Sequence, residues 1–422
     1  MKWSNNKHMI SGDYKPHIAK IHHGFHAELL RVFGKQTSLN RLRRWVLESL
    51  TKGESLRVWR YDPQRSCTVL TAPVPSSRLE WLDIARGIGI TAVVLVHSMI
   101  PMVEFVVTLL SGFAIALFFI MAGLTYNGEK HRSNLRGFAI SRGRQLLIPY
   151  FSLYTIMMLV FIPLSGVVDT YLTPSEVFFW FLYGAGPPNQ ATHLWFLPVL
   201  FFGLVLFAAI DSATHSISPR VRWPLVVLLP VLAFWITDVF SPMLVPWRVN
   251  SILLATSFCI VGYEIRRYRQ LNSWCTESKV RDSAVFLILS VVLAVTSQLN
   301  GFVNFVMDSF GTNAWFYMIT GTSGTIAVFM LSTIFEQLPS VSRAMRYLGA
   351  HSQVIYEMHP IFFYLVPASL VLLGWPLEDV GAAFNYFWPV RFVLALGFSI
   401  PFALVVSKNR ILSLIFTGRR TR

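Results

Sequence analysis

Cysteine is scarce in this chain, with three among 422 residues. Cys67 lies in a polar region, Cys259 in an apolar run and Cys275 in a basic loop, so neither a disulfide framework nor a metal-ligand spacing is present. Charge is scarce too: 14% of residues are Asp, Glu, Lys or Arg, against about 25% in an ordinary soluble domain. Acids are outnumbered, 21 against 36 bases, for a net charge of +15. The first 80 residues lack a signal-peptide-like apolar core, so targeting is expected to come from the first spanning helix. Low-complexity tracts and obvious short repeats are also missing.

What the chain has in excess is apolar sequence, 54% of its residues, with a mean hydropathy of +0.52. The excess falls in runs long enough to cross a bilayer, which takes about 20 residues. Ten such spans are expected, near 82–100, 105–126, 146–165, 194–210, 223–240, 249–265, 283–300, 314–335, 354–373 and 389–407. The segment FFWFLY (178–183) is too short to span and is expected at the interface or as a re-entrant piece. The fold class is therefore all-α: a polytopic integral membrane protein with the lipid bilayer as its solvent.

The basic residues set the orientation. Residues 1–80, the loops after the second, fourth, sixth and eighth spans, and the C-terminal tail hold 33 of the 36 Lys and Arg. Only Arg86, Arg248 and Arg391 fall elsewhere. The opposite loops carry acids such as Glu104, Asp169, Glu176, Asp308, Glu378 and Asp379. The alternation predicts ten spans with both termini in the cytoplasm, and it explains the net charge without nucleic acid as a partner. Within the extension, LNRLRRWVLESL (39–50) puts Leu39, Leu42, Trp45, Val46 and Leu50 on one helical face beside three arginines. It suits a helix on an anionic membrane surface, or equally a basic tail that only fixes orientation. Pro73, Pro75, Ser76 and Ser77 follow as a linker.

Ionisable groups inside a bilayer are costly and tend to be functional. In RLEWLDIARGIGITAVVLVHS (78–98), Asp83 and Arg86 stand near the cytoplasmic end and His97 lies well across. Arg86 and His97 are eleven residues apart, about three turns, so they share a face roughly 16 Å apart along the axis. An Arg fork suits phosphates or carboxylates, and His is the usual general base. The plainer alternatives are a snorkelling Arg86 partnered and oriented by Asp83, and a His satisfied by a neighbouring helix. His193 and Trp195 sit where the fourth span enters from the outer side, at a depth like that of His97. Trp195 could stack on a sugar face or simply anchor the interface. Ser352, Glu357 and His359 are expected in the cytoplasmic half of the ninth span.

The arrangement R-x10-H in WLDIARGIGITAVVLVH resembles the membrane-bound acyltransferase 3 family, and within it the fucose 4-O-acetylase-like branch that includes the nodulation-factor fucose acetylases of rhizobia. Further segments recur in order over about 78–407: SGFAIALFFIMAGLTYN (111–127), RGRQLLIPYF (142–151), HLWFLPVLF (193–201) and YLGAHSQVIYEMHPIF (347–362). The resemblance implies transfer of an acyl group, usually acetyl, from cytoplasmic acetyl-CoA to a sugar hydroxyl, with no bound cofactor or metal. It makes Arg86 and His97 catalytic, and Arg142 and Arg144 donor-binding through a partly kept R-x-x-R pattern whose fourth position is Gln145. Ala122 replaces a frequent Ser, and Glu357 a usually apolar residue. His359 matches the family segment as a substrate contact or structural polar link.

The expected organisation is a basic cytoplasmic extension (1–80), a transmembrane acyltransferase domain (81–408) and a basic cytoplasmic tail (409–422). The acceptor would be fucose or a similar sugar of a lipochitooligosaccharide or surface polysaccharide, the location a bacterial inner membrane. A proton-coupled secondary transporter is the rival class, because ten spans with buried His and Glu suit it also. Against it, the buried charges are not duplicated in two halves. An inactive scaffold is the third reading.

Overall fold

The computed structural model describes residues 58–59, 69–70, 80–99, 104–161, 173–185, 189–217, 219–268, 279–376 and 387–419. The amphipathic stretch 39–50, the 73–77 linker, Cys67, Cys275, Asp169, Glu378 and Asp379 lie outside these residues. The chain divides into two units, Met1–Arg78 and Leu79–Arg422. In the first, β1 (Val58–Trp59) pairs antiparallel with β2 (Val69–Leu70).

The second unit is helical. Its elements are α1 (Glu80–Met99), α2 (Glu104–Leu124), α3 (Gly128–Arg132), α4 (Leu135–Phe161), α5 (Pro174–Tyr183), a 3₁₀ turn (Asn189–Trp195), α6 (Phe196–Thr214), α7 (Arg222–Phe240), α8 (Val249–Tyr268), α9 (Lys279–Asn300), α10 (Ala314–Glu336), α11 (Pro339–Ala350), α12 (Ser352–Leu372), α13 (Trp388–Lys408) and α14 (Arg410–Thr417). Ten of these, α1, α2, α4, α6 to α10, α12 and α13, coincide with the ten apolar runs. Among the described residues, seven stretches are long and apolar enough to cross a membrane: α1, α2, 192–214, α7, 280–300, α10 and α13. The segment 178–183 falls in α5, a ten-residue helix with a Thr173/Glu176 capping box and no buried residue.

Burial sorts the helices. α1, α2, α6 and α10 are enclosed over most of their length, while α7, α9 and α13 turn most of theirs outward. The outward faces are apolar: Leu228, Leu232, Trp235 and Val239 on α7, and Leu287, Ile288, Val291 and Val295 on α9. Helices satisfy their own backbone groups, which is the condition for standing in lipid.

Close approach in the interior depends on glycine, as expected where lipid removes the hydrophobic drive between helices. Gly123 of α2 lies against the Cys259 carbonyl of α8, and Gly262 of α8 against the Ile120 carbonyl of α2; a Cβ at either would overlap backbone. The same reciprocity joins α1 to α11, with Gly87 against the Met345 carbonyl and Gly349 against the Asp83 carbonyl. Arg346 of α11 also pairs with Glu80 at 2.7 Å. α11 therefore occupies the level of the first turns of α1, and α12 starts beyond it.

Candidate active site

That offset corrects one expectation. His359 does not lie nearer the entry side than His97; the two are in contact. His97 Nδ1 and His359 Nε2 are 2.7 Å apart, and the rings lie nearly parallel. Ser352 to His359 is about 10 Å of helix and Gly87 to His97 about 15 Å at 1.5 Å per residue. The α11 detour absorbs the difference.

The contacts assign the tautomers. His359 Nδ1 faces the carbonyls of Ile355 at 3.1 Å and Tyr356 at 2.8 Å. Carbonyls only accept, so Nδ1 of His359 carries its hydrogen and Nε2 of the neutral ring is an acceptor. His97 Nδ1 must then donate to it. The remaining His97 nitrogen, Nε2, carries a lone pair, and His97 is only half-buried whereas His359 is fully enclosed. An orienting partner on one nitrogen and a lone pair on the other is the configuration of a general base.

His193 joins this group from the 3₁₀ turn. Its Nε2 donates to the Glu357 carbonyl at 2.9 Å, Tyr356 donates its hydroxyl to the His193 carbonyl, and its ring meets that of His359 edge-on at 5.9 Å. Glu357, fully buried, is partnered by an amide rather than a base: Gln353 Nε2 donates to its Oε1 at 3.0 Å. Its Oε2 has no hydrogen-bond partner among the described residues.

Trp195, expected as a sugar platform or an interface anchor, is packed inside the bundle. It is 4% exposed, stacked on Phe305 at 4.9 Å with the Arg248 guanidinium 5.8 Å from its ring centre. The packing that buries it also anchors Arg248, which pairs with Asp308 at 2.9 Å and donates to backbone carbonyls around it.

At the other end of α1, Arg86 Nη1 bonds the buried Asp83 carboxylate at 2.9 Å. Arg86, Arg142 and Arg419 line a cavity of about 220 Å³ with Thr125, Gln145 and Gln353. Arg142 and Arg419 both donate to Gln145 Oε1, at 3.0 and 3.3 Å. Arg144 is exposed and is absent from the lining. Arg419 stands in its place, because the left-handed Gly418 closing α14 lies against the Arg144 carbonyl.

A second, apolar cavity of about 120 Å³ adjoins the first, sharing Phe118, Leu146, Leu200 and Gln353 with it. Ile115, Phe196, Leu197, Ser352 and Tyr356 complete its walls. It ends at Tyr356, whose ring centre is 5.6 Å from that of His193 and 6.0 Å from that of His359. From the arginines inward, the order is basic mouth, apolar slot, tyrosine, histidines.

Sequence reasoning missed Arg419, Gln353 and Arg391. Arg391, at the start of α13, donates from Nη2 to the His97 carbonyl at 3.0 Å and lies 5.4 Å from the Phe363 ring centre. One signal was available for it: Arg391 is among the three basic residues outside the alternating basic regions.

A polar cluster enclosed by a helical membrane bundle, entered past arginines and an apolar slot, describes an enzyme of the membrane rather than a soluble catalyst. The family model for the acyltransferase domain of the acyltransferase 3 family matches residues 79–408. The chain belongs to that family and is a membrane acyltransferase. No curated protein matches it.

Proposed function

We propose that the protein is an O-acetyltransferase that moves an acetyl group from acetyl-CoA to a sugar hydroxyl. The observation that carries this reading is the run of two adjoining cavities from Arg86, Arg142 and Arg419 to Tyr356, beside His193 and His359. An acyl-CoA has anionic phosphates at one end and a thin, largely neutral pantetheine arm carrying the thioester at the other. Arginine forks suit the first, and an apolar slot suits the second.

In the reaction, His97 Nε2 takes the proton of the acceptor hydroxyl as its oxygen attacks the thioester carbonyl carbon. The hydrogen bond from His97 Nδ1 to His359 Nε2 fixes the ring and stabilises the imidazolium that forms. A C–O bond is made, the C–S bond breaks, and the departing thiolate recovers the proton from His97. Arg86, oriented by Asp83, and Arg142 hold the donor phosphates, with Arg419 in the part the sequence pattern gave to Arg144. Ser352 lines the slot through which the arm passes, and His193 positions the histidine pair from behind. Base catalysis of this kind contributes about 10²–10⁴-fold, and positioning of the two substrates supplies much of the remainder.

The acceptor is a fucose-like sugar of a lipochitooligosaccharide or surface polysaccharide, and the enzyme spans a bacterial inner membrane ten times with both termini cytoplasmic. The branch resemblance of the sequence and the alternation of its basic loops support these finer points. The test combines CoA release from acetyl-CoA by the purified protein with mass spectrometry of surface glycans and secreted lipochitooligosaccharides from a deletion strain. The reading requires CoA release that depends on an added glycan acceptor and loss of one acetyl increment in the strain. Absence of both outcomes overturns it.

A further inference from the structure

A larger cavity, of about 420 Å³, opens on the other side of the turn that follows α2. Tyr126, Asn127 and Gly128 line it, while Ala122 and Thr125 of the same segment line the arginine mouth. Arg132, Arg222, Arg266 and Arg267 all stand in its walls. Two buried carboxylates organise three of them. Asp211 accepts from Arg132 at 2.8 and 3.1 Å and from Arg222 at 2.7 Å. Glu264 accepts from Arg222 at 2.9 Å and from Arg267 at 3.2 Å. The hydrogen bonds from Arg132 to Asp211 raise the pKa of that arginine above its ordinary value.

Arg266 donates from Nη1 to the carbonyls of Tyr126 and Leu124, gripping the turn between the two cavities. Four guanidinium groups against two buried carboxylates leave the wall cationic, even with Glu129 at the rim. Charges that only set topology need solvent around them. These are instead drawn together round one concavity by acids buried at a desolvation cost.

The larger cavity and the arginine mouth are lined by consecutive residues, Tyr126 and Thr125. The Arg142 guanidinium lies 5.6 Å from the Phe138 ring centre, and Phe138 meets Tyr126 edge-on at 5.5 Å. One aromatic ring thus separates a mouth arginine from the wall of the larger cavity. An acyl-CoA carries phosphate at two places, the diphosphate and the 3′-position of the ribose one sugar further on. Resting on the donor reading above, we propose that this larger cavity receives the 3′-phosphoadenosine end of the donor, with Arg266 and Arg267 donating to the 3′-phosphate.

The experiment measures kcat/KM of the full-length protein for acetyl-CoA and for its 3′-dephospho analogue, in wild type and in Arg267→Gln and Arg266→Gln. The wild type is expected to prefer acetyl-CoA by at least about ten-fold, since each charge-assisted hydrogen bond lost is worth that much. In the variants the value for acetyl-CoA falls toward that for the analogue. Equal use of the two donors by the wild type overturns this site while leaving the donor reading intact, and so does a preference that both variants retain. Failure to turn over either donor overturns the donor reading and the site with it. The wild-type comparison needs no variant to fold.

Discussion

At the scale of single residues, the arrangement of His97 and His359 makes a sharp demand. If His359 only filled space, any residue of similar volume would serve; if it accepts from His97 Nδ1, an acceptor must stand there. His359→Gln can present its side-chain oxygen to His97 while its amide faces the Ile355 and Tyr356 carbonyls, which His359→Ala cannot do. We therefore expect His359→Gln to retain several-fold more turnover than His359→Ala, with KM for the donor little changed in either. His97→Ala is expected to lose about 10²–10⁴-fold in kcat while accumulating normally in membranes. Full activity of His97→Ala would remove it as the base. The three arginines outside the alternating basic regions carry a related lesson: Arg86 lines the mouth, Arg391 holds the His97 carbonyl, and Arg248 is buried against Asp308. Each of the three has a partner inside the protein.

At the scale of elements, the helices that carry the polar groups of the interior are informative. α4, α8 and α12 are each 20 residues or longer and supply polar groups to the cavities and the histidine cluster. α4 brings Arg142 and Gln145, α8 brings Glu264 and Arg266, and α12 brings Gln353, Glu357 and His359. α4 also begins at Leu135, so the basic stretch expected as a loop before the third span is helical. That places Arg142 toward the cavity and Arg144, two residues on, outward. Arg142→Ala and Arg419→Ala are expected to raise the donor KM by about ten-fold each, whereas Arg144→Ala leaves it near the wild-type value; steady-state kinetics on the three variants checks this. The α2–α8 crossing gives a structural prediction. Gly123→Leu forces a side chain into the Cys259 backbone, for which overpacking costs about 1–3 kcal/mol or more. The variant should show a lower Tm in detergent or fail to accumulate.

For the whole molecule, the alternation of basic loops predicts which surfaces share a side. Cysteine scarcity makes this testable: Cys259 is buried, and the other two cysteines, Cys67 and Cys275, are replaced by serine before labelling. Single cysteines at exposed Lys130 and Ser309 are expected to react with an impermeant maleimide from opposite sides of the membrane, with Lys130→Cys labelled only from the cytoplasm. Labelling of both from one side would overturn the ten-span topology.

The positions of the long helices were legible in the sequence, because an apolar run of membrane length can hardly do anything else. So was the family, whose short segments are local in the chain. Arg86 and His97 were legible for the same reason: they sit on one helix, where spacing alone sets their separation. Glu357 was visible as an exception, and its amide partner one turn away was not guessed. What the sequence could not decide was everything set by how helices sit against each other. The α11 detour lifts α12 until His359 meets His97, the close of α14 brings Arg419 in where Arg144 was expected, and Phe305 and Arg248 cover Trp195. These contacts join residues up to 274 positions apart. Hydropathy and periodicity report how each helix faces its surroundings, but relative depth is fixed by backbone contacts at Gly87, Gly349 and Gly418, so only the tertiary structure decided which polar groups share a site.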